Sequence, residues 1–215
     1  RTNAIQSKSV QAIDSVPYLS IDQLKATSQV DSVQGFGLLF AMFNQSPGNP
    51  FAKKENRQGF LYAIDMAKVV QTAMLDQAAP ATSFVQADHP QYVKAKTVYA
   101  HDPAKAKELF AKGGLTSLRL LCTDHDWVKK CTPIIQEALK AAGLQVEFTE
   151  KKSADVYNTI DGKPEAYDVV IAPGDPSVFG NDLDVWTDSR MHWKGTPSYA
   201  EVQSLLDAGL QATDE

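Results

Sequence analysis

The stretch "APGDPSVFGNDLDVWTDSRMHW" over 172–193 gathers the side chains of this chain that could do chemistry. Pro173, Gly174 and Asp175 follow an apolar, β-branched run, and the aromatics Phe179, Trp186 and Trp193 come after them. A carboxylate flanked by aromatic rings is a seat for a cation such as a peptide amine. Backbone groups exposed at Pro173 and Gly174 would meet an extended ligand. Gly-Asp-Pro is also a turn signal in its own right, because Asp bonds the backbone two residues on and Pro fixes φ. His192, between Met191 and Trp193, reads either as packing or as a ligand contact. Asp182 and Asp184, taken with Asp175 and His192, are what a small α/β hydrolase or transferase would have to use.

The other candidates are weaker. His125 lies between Asp124 and Asp126, which reads as an acid/base cluster or as a loop and cap at a helix start. No G-x-S-x-G, P-loop, H-E-x-x-H or C-x-x-C occurs, and Gly35-x-Gly37 lacks the third glycine of a dinucleotide fingerprint. The four histidines and two cysteines have no zinc-site spacing, so no metal site, cofactor or catalytic set is expected. Cys122 and Cys131 are either buried free thiols or one short-range disulfide, since a strand end and the next helix start can approach within ~6 Å. A net charge of −5 argues against nucleic acid, which needs a concentrated basic face. No apolar run approaches the ~18 residues of a membrane span. The chain begins "RTNAIQSKSV" without Met or an apolar leader run and stops just after an expected helix, which reads as a fragment of a longer protein.

These residues need elements to hold them. Residues 1–19 read as irregular, and Ser20 with Gln23 makes a capping box before a short helix. Residues 30–44 read as a strand whose later half is buried on both faces. A helix follows over 56–75, then a long extended segment over 76–101. Asp102 and Pro103 start a helix that Gly113-Gly114 stops. A strand over 118–122, a helix from Asp126 to Ala142, a strand over 145–149, a short helix over 154–161 and a strand over 167–172 come next. Pro197 opens a last helix with Tyr199, Val202, Leu205 and Leu206 inward. This α-β-α-β-α-β order predicts an α/β fold with a mostly parallel sheet covered on both faces. Asp175 would then lie past the carboxyl end of a strand, where such sheets bind ligands.

Several segments, in order, resemble a known family. They are "VQAIDSVP" with "IDQLKA", "FGLLFAMFNQSPGNPF", "RQGFLYAIDMAKVVQTAM", "AHDPAKAKELFAKGGL", "VKKCTPIIQEALKAAGLQVEF" and "YDVVIAPGDPSVFG". Together they resemble extracellular solute-binding protein family 5, the peptide-, nickel- and opine-type substrate-binding components of ABC importers. Asn56 and Gly59 stand where the family's helix motif usually has Val and Ala. The resemblance implies one lobe of a two-lobed, type II periplasmic-binding-protein-like fold, a mixed sheet flanked by helices. Residues 1–29 would be the incoming segment from the first lobe, and 30–215 the second lobe. It implies a binding protein rather than an enzyme, working outside the cytoplasmic membrane as a periplasmic protein or cell-surface lipoprotein. Its partners would be an oligopeptide or other small solute and the permease subunits of the importer. Asp175 would neutralise a ligand amine, with Gly174, Pro173, Phe179, Trp186, His192 and Trp193 around it, and Asn44 near the hinge.

Overall fold

The computed structural model describes residues 1–33, 35, 37–83, 87, 89–90, 92–174 and 191–212. Two short helices open the chain, α1 (Thr2–Gln6) and α2 (Ile21–Lys25), in an otherwise irregular lead. Ser20 makes no side-chain cap bond there, so the expected capping box does not form. Strand β1 (Leu38–Phe43) follows. The single helix expected over 56–75 is two, α3 (Lys54–Ala63) and α4 (Met66–Met74). The break lies at Ile64-Asp65, both extended, and the Asp65 carboxylate accepts from Lys68 N at 3.0 Å to cap α4.

After the long segment, which carries no helix or strand among its described residues, come α5 (Pro103–Gly113), β2 (Ser117–Thr123), α6 (Asp126–Ala141), β3 (Gln145–Lys151), α7 (Ser153–Gly162) and β4 (Val169–Gly174). α5 starts and stops as its residues dictate. Asp102 accepts from Lys105 N at 2.9 Å, Pro103 takes the first turn, and Gly114 closes the helix at φ +70°. α6 carries Pro133 in its interior, which removes the N–H that Lys129 O would have met. The Thr132 hydroxyl donates to that carbonyl instead, at 3.2 Å. A last helix, α8 (Pro197–Gln211), is capped by Thr196 and has no buried residue among those described. Leu205, expected inward, is 67% exposed.

The sheet runs β1-β4-β2-β3, with β2 parallel to both β3 and β4 and β1 antiparallel to β4. Side chains alternate between its faces, as a period of two requires. Leu39, Ala41, Phe43, Leu118, Leu120, Cys122, Val169 and Ile171 meet the core built with α3 to α6. Phe40, Met42, Leu121, Val170 and Ala172 meet α7 and Tyr167 on the other side. The Phe51 of the "PF" turn stacks on Phe43 at 5.4 Å and meets Phe60 edge-on, so that turn is an anchor in the core. Fully burying such a ring contributes about 2–3 kcal/mol.

The two departures from the family's helix motif have a packing reason. A Cβ at Gly59 would meet the Phe110 ring at 2.7 Å, and Asn56 donates its Nδ2 to Pro50 O at 2.7 Å while facing Gly113. α3 and α5 therefore approach more closely than larger side chains would allow. Cys122 and Cys131 are both free and buried, so the disulfide left open by the sequence is absent. The reason is direction: Cys131 turns its Sγ to Trp127 O at 3.3 Å and to Met74 Sδ at 3.9 Å.

Candidate ligand-binding site

The chain steps from β2 outward to β3, then returns through α7 to the other side of β2 to lay down β4. β2 and β4 are thus neighbours at the point where strand order turns back. In α/β sheets the crevice outside the carboxyl ends of such a pair is the place where ligands sit. Cys122 is opposite Ile171, so Thr123 and Ala172 are level and both strands leave the sheet at one edge. On β4 that edge ends in Pro173 and Gly174, both half-buried and paired to Leu39 and Leu38 of β1. On β2 it ends in Thr123, followed by Asp124 and His125. Asp175, Phe179 and Trp186 lie outside the described residues, as do Asp182 and Asp184.

The remaining sequence candidates are at the opposite edge. Asn44 follows Phe43, which pairs with Val169 at the start of β4. Asn44 is level with Asp168, six residues before Gly174, which puts it roughly 20 Å from Gly174. Asn44 is 1% exposed, and its amide is fully engaged. Its Nδ2 donates to Pro164 O at 2.6 Å and Tyr167 O at 3.0 Å, and its Oδ1 accepts from Ser46 N and Ser46 Oγ. It ties the β1 exit to the β4 approach and offers nothing to a ligand. His192 bonds Ile160 O through Nε2 at 2.9 Å, at the end of α7, with its backbone at φ +51°. Met191 O accepts from Gln45 N at 2.8 Å, which fixes this segment to the same edge. Trp193 is buried and meets Tyr199 edge-on at 5.6 Å. The expected grouping of His192 and Trp193 with Pro173 and Gly174 is therefore not formed.

A polar cavity of about 530 Å³ also lies at that far edge, lined by Pro50, Ser117, Arg119, Gln145, Glu147 and Asp168 among others. Its principal charges are already committed to one another. Asp168 takes Arg119 Nε and Nη2 at 3.1 and 2.6 Å, Arg119 N at 2.7 Å and Asn49 Nδ2 at 2.9 Å. The carboxylate beside it raises the Arg119 pKa above its ordinary value. This is a clamp between β2, β4 and the turn after β1. Among the described residues no group of three metal-ligating side chains occurs, and no helix is long and apolar enough to cross a membrane.

As expected of a loop and helix start, His125 lies between the end of β2 and the first turn of α6. It occupies the N-cap position of α6 without a side-chain cap bond, and its Nδ1 lies 3.1 Å from the Thr123 hydroxyl. The signal was a histidine two residues beyond a strand at the carboxyl edge.

Comparison with known proteins places this geometry in a class. The architecture is one α/β lobe of the type II periplasmic-binding-protein fold. The model of the bacterial extracellular solute-binding proteins, family 5 middle segment, matches residues 1–198, and the chain belongs to that family. The glutathione-binding protein GsiB of Escherichia coli O6:K15:H31 is 21% identical over 168 residues, covering 76% of this chain and 33% of its own length. Among solved structures, the ABC transporter substrate binding protein CtaP of Listeria monocytogenes superposes with a TM-score of 0.84 at 19% identity, over all of this chain and 46% of its own. The oligopeptide-binding protein AppA of Bacillus subtilis, solved with a nonapeptide, gives 0.80 at 16% identity, over 99% of this chain and 46% of its own. The chain thus spans about half the length of these solved relatives and a third of the curated one.

Proposed function

We propose that this chain is the second lobe, over 30–215, of the substrate-binding component of an ABC importer, with 1–29 as the incoming segment from the first lobe. The whole protein would capture a peptide-like solute outside the cytoplasmic membrane, as a periplasmic protein or cell-surface lipoprotein, and deliver it to permease subunits. The observation that carries this reading is the turn-back of strand order at β2, which sets Pro173 and Gly174 at the carboxyl edge in a chain of a solute-binding family. Asp175 would neutralise the ligand amine, with Phe179 and Trp186 beside it. Two lobes closing about a hinge would desolvate the solute between them. No catalysis is proposed. His192, the acid/base partner a hydrolase would need, spends its Nε2 on Ile160 O far from Gly174. Glutathione and a nonapeptide, the ligands named for GsiB and AppA, are the first solutes to try.

Calorimetry with those two solutes on the full-length protein and on the 215-residue chain tests the reading. Binding by the full-length protein, at least tenfold tighter than by the lobe alone, is expected, since ~1.4 kcal/mol of lost contacts is already tenfold. Equal affinity in both would show that the lobe is not one wall of a shared cleft. Peptide-dependent stimulation of the cognate permease ATPase separates an importer component from a receptor of the same fold.

A further inference from the structure

Thr123 ends β2 at the carboxyl edge and is completely buried. Among the described residues, the contact with His125 Nδ1 is the only hydrogen bond of either side chain. A buried hydroxyl must give its proton to an acceptor or forfeit a hydrogen bond. The Nδ1 lone pair is the acceptor in reach, so Thr123 O–H donates to it. In the neutral ring the proton then sits on Nε2. The half-buried imidazole of His125 is thereby held in one orientation with one N–H to offer, and it serves neither the core nor the helix cap. It stands at the end of β2, and β4, the neighbouring strand about 4.8 Å away, ends in Gly174.

We propose that His125 is a specificity-determining contact of the ligand site, donating Nε2–H to an amide carbonyl of a peptide-like solute, with Thr123 as its positioning residue. This rests on the carboxyl edge of the sheet being the ligand wall. The acceptor is a neutral carbonyl rather than a carboxylate, because Asp124 and Asp126, both exposed, flank the ring and repel an anion. A ligand lacking amide carbonyls at this depth gains nothing from the ring, which is how the contact selects.

The test is calorimetry on the full-length protein with glutathione and with a mixed-sequence nonapeptide pool. His125→Ala should weaken binding roughly 3- to 10-fold with an unchanged melting temperature. His125→Gln, whose amide N–H can replace Nε2–H, should stay within about threefold of wild type. Thr123→Val should weaken binding like His125→Ala, and Thr123→Ser should restore it. Nitrogen-15 NMR of the wild-type imidazole should show the proton on Nε2, a readout that needs no variant to fold. Binding by wild type with His125→Ala unaffected on both probes, or a proton on Nδ1, would overturn the inference alone. Failure of wild type to bind either probe would overturn the peptide reading and this contact with it.

Discussion

Arg119 and Asp168 grip each other through two parallel bonds, Nε to Oδ2 at 3.1 Å and Nη2 to Oδ1 at 2.6 Å, between the second residue after the start of β2 and the residue just before β4. Arg119 also donates Nη1 to Glu165 O, and Asp168 N donates to Arg119 O at 3.0 Å. The pair fixes the amino ends of the two strands whose carboxyl ends carry the candidate site. Register is thus set at one edge of the sheet and used at the other.

Arg119→Met leaves the Asp168 carboxylate, whose side chain is 5% exposed, with only neutral donors. Breaking a buried pair costs ~3–5 kcal/mol, and Arg119 is 37% exposed, so about 2–4 kcal/mol is expected here. Urea unfolding followed by circular dichroism measures it. A loss below ~1 kcal/mol would class the pair as an ordinary surface bridge. Arg119→Lys should fall between, because an ammonium keeps the charge and loses the fork.

The contact between α3 and α5 gives a steric prediction. A Cβ at Gly113 would sit 1.7 Å from Asn56 Oδ1 and 2.6 Å from its Cγ. Asn56 is fully buried and held by its bond to Pro50 O, so it has nowhere to retreat. Gly113→Ala should destabilise by ~1–3 kcal/mol, and adding Asn56→Ala should recover part of that loss. Gly209→Ala in α8, where nothing lies within 4 Å, should instead stabilise by ~0.5–1 kcal/mol. A melting-temperature series on the four proteins decides it.

How far the sequence carries depends on whether a signal is local. The start and stop of α5 were legible because Asp102, Pro103 and Gly114 act within one turn. The break before α4 was obscured by an apolar pattern that continues from Phe60 and Ile64 to Val69, although Asp65 is by residue type an N-cap. Gly174 was legible at a strand end because Val169 to Ile171 is a β-branched run. His192 and Trp193 were assigned to the same site because they follow it in sequence. The chain carries them back to the other edge, and only tertiary contacts such as Gln45 N to Met191 O record that return. Asn44 lies far from Gly174 for a related reason: β1 is antiparallel, so its end meets the beginning of β4.

The two thiols predict an alkaline weakness. Burial pushes Cys122 up to about 12 and Cys131 up to about 11, from an ordinary value of 9.0. Below pH 9 both are protonated whether folded or not, and the stability is fully present. As pH rises above 9 the unfolded chain loses protons that the fold retains, so stability falls by up to ~1.4 kcal/mol per pH unit for each thiol. Urea midpoints between pH 7.5 and 10.5 should drop, and the drop should be smaller in Cys122→Ala/Cys131→Ala. Thiol titration without reductant should find no reactive group in the folded protein and two after unfolding. An intact bridge would instead show none after unfolding.

Asp175 bears the last prediction. In the sequence it follows Gly174, the last residue of β4, and it begins an Asp-Pro step. If it holds a ligand amine, Asp175→Asn in the full-length protein should leave the melting temperature unchanged, because an amide oxygen satisfies a turn as a carboxylate does. Affinity for a peptide with a free amino terminus should nonetheless fall by ~1.5–3 kcal/mol, the worth of a charge-assisted hydrogen bond. The same peptide acetylated at its amino terminus should bind wild type and Asp175→Asn alike. Calorimetry on the four combinations separates the two roles of this residue. Equal affinity for the free-amine peptide in both proteins would make Asp175 a turn residue only, and the cation seat would then have to be sought at Asp182 or Asp184.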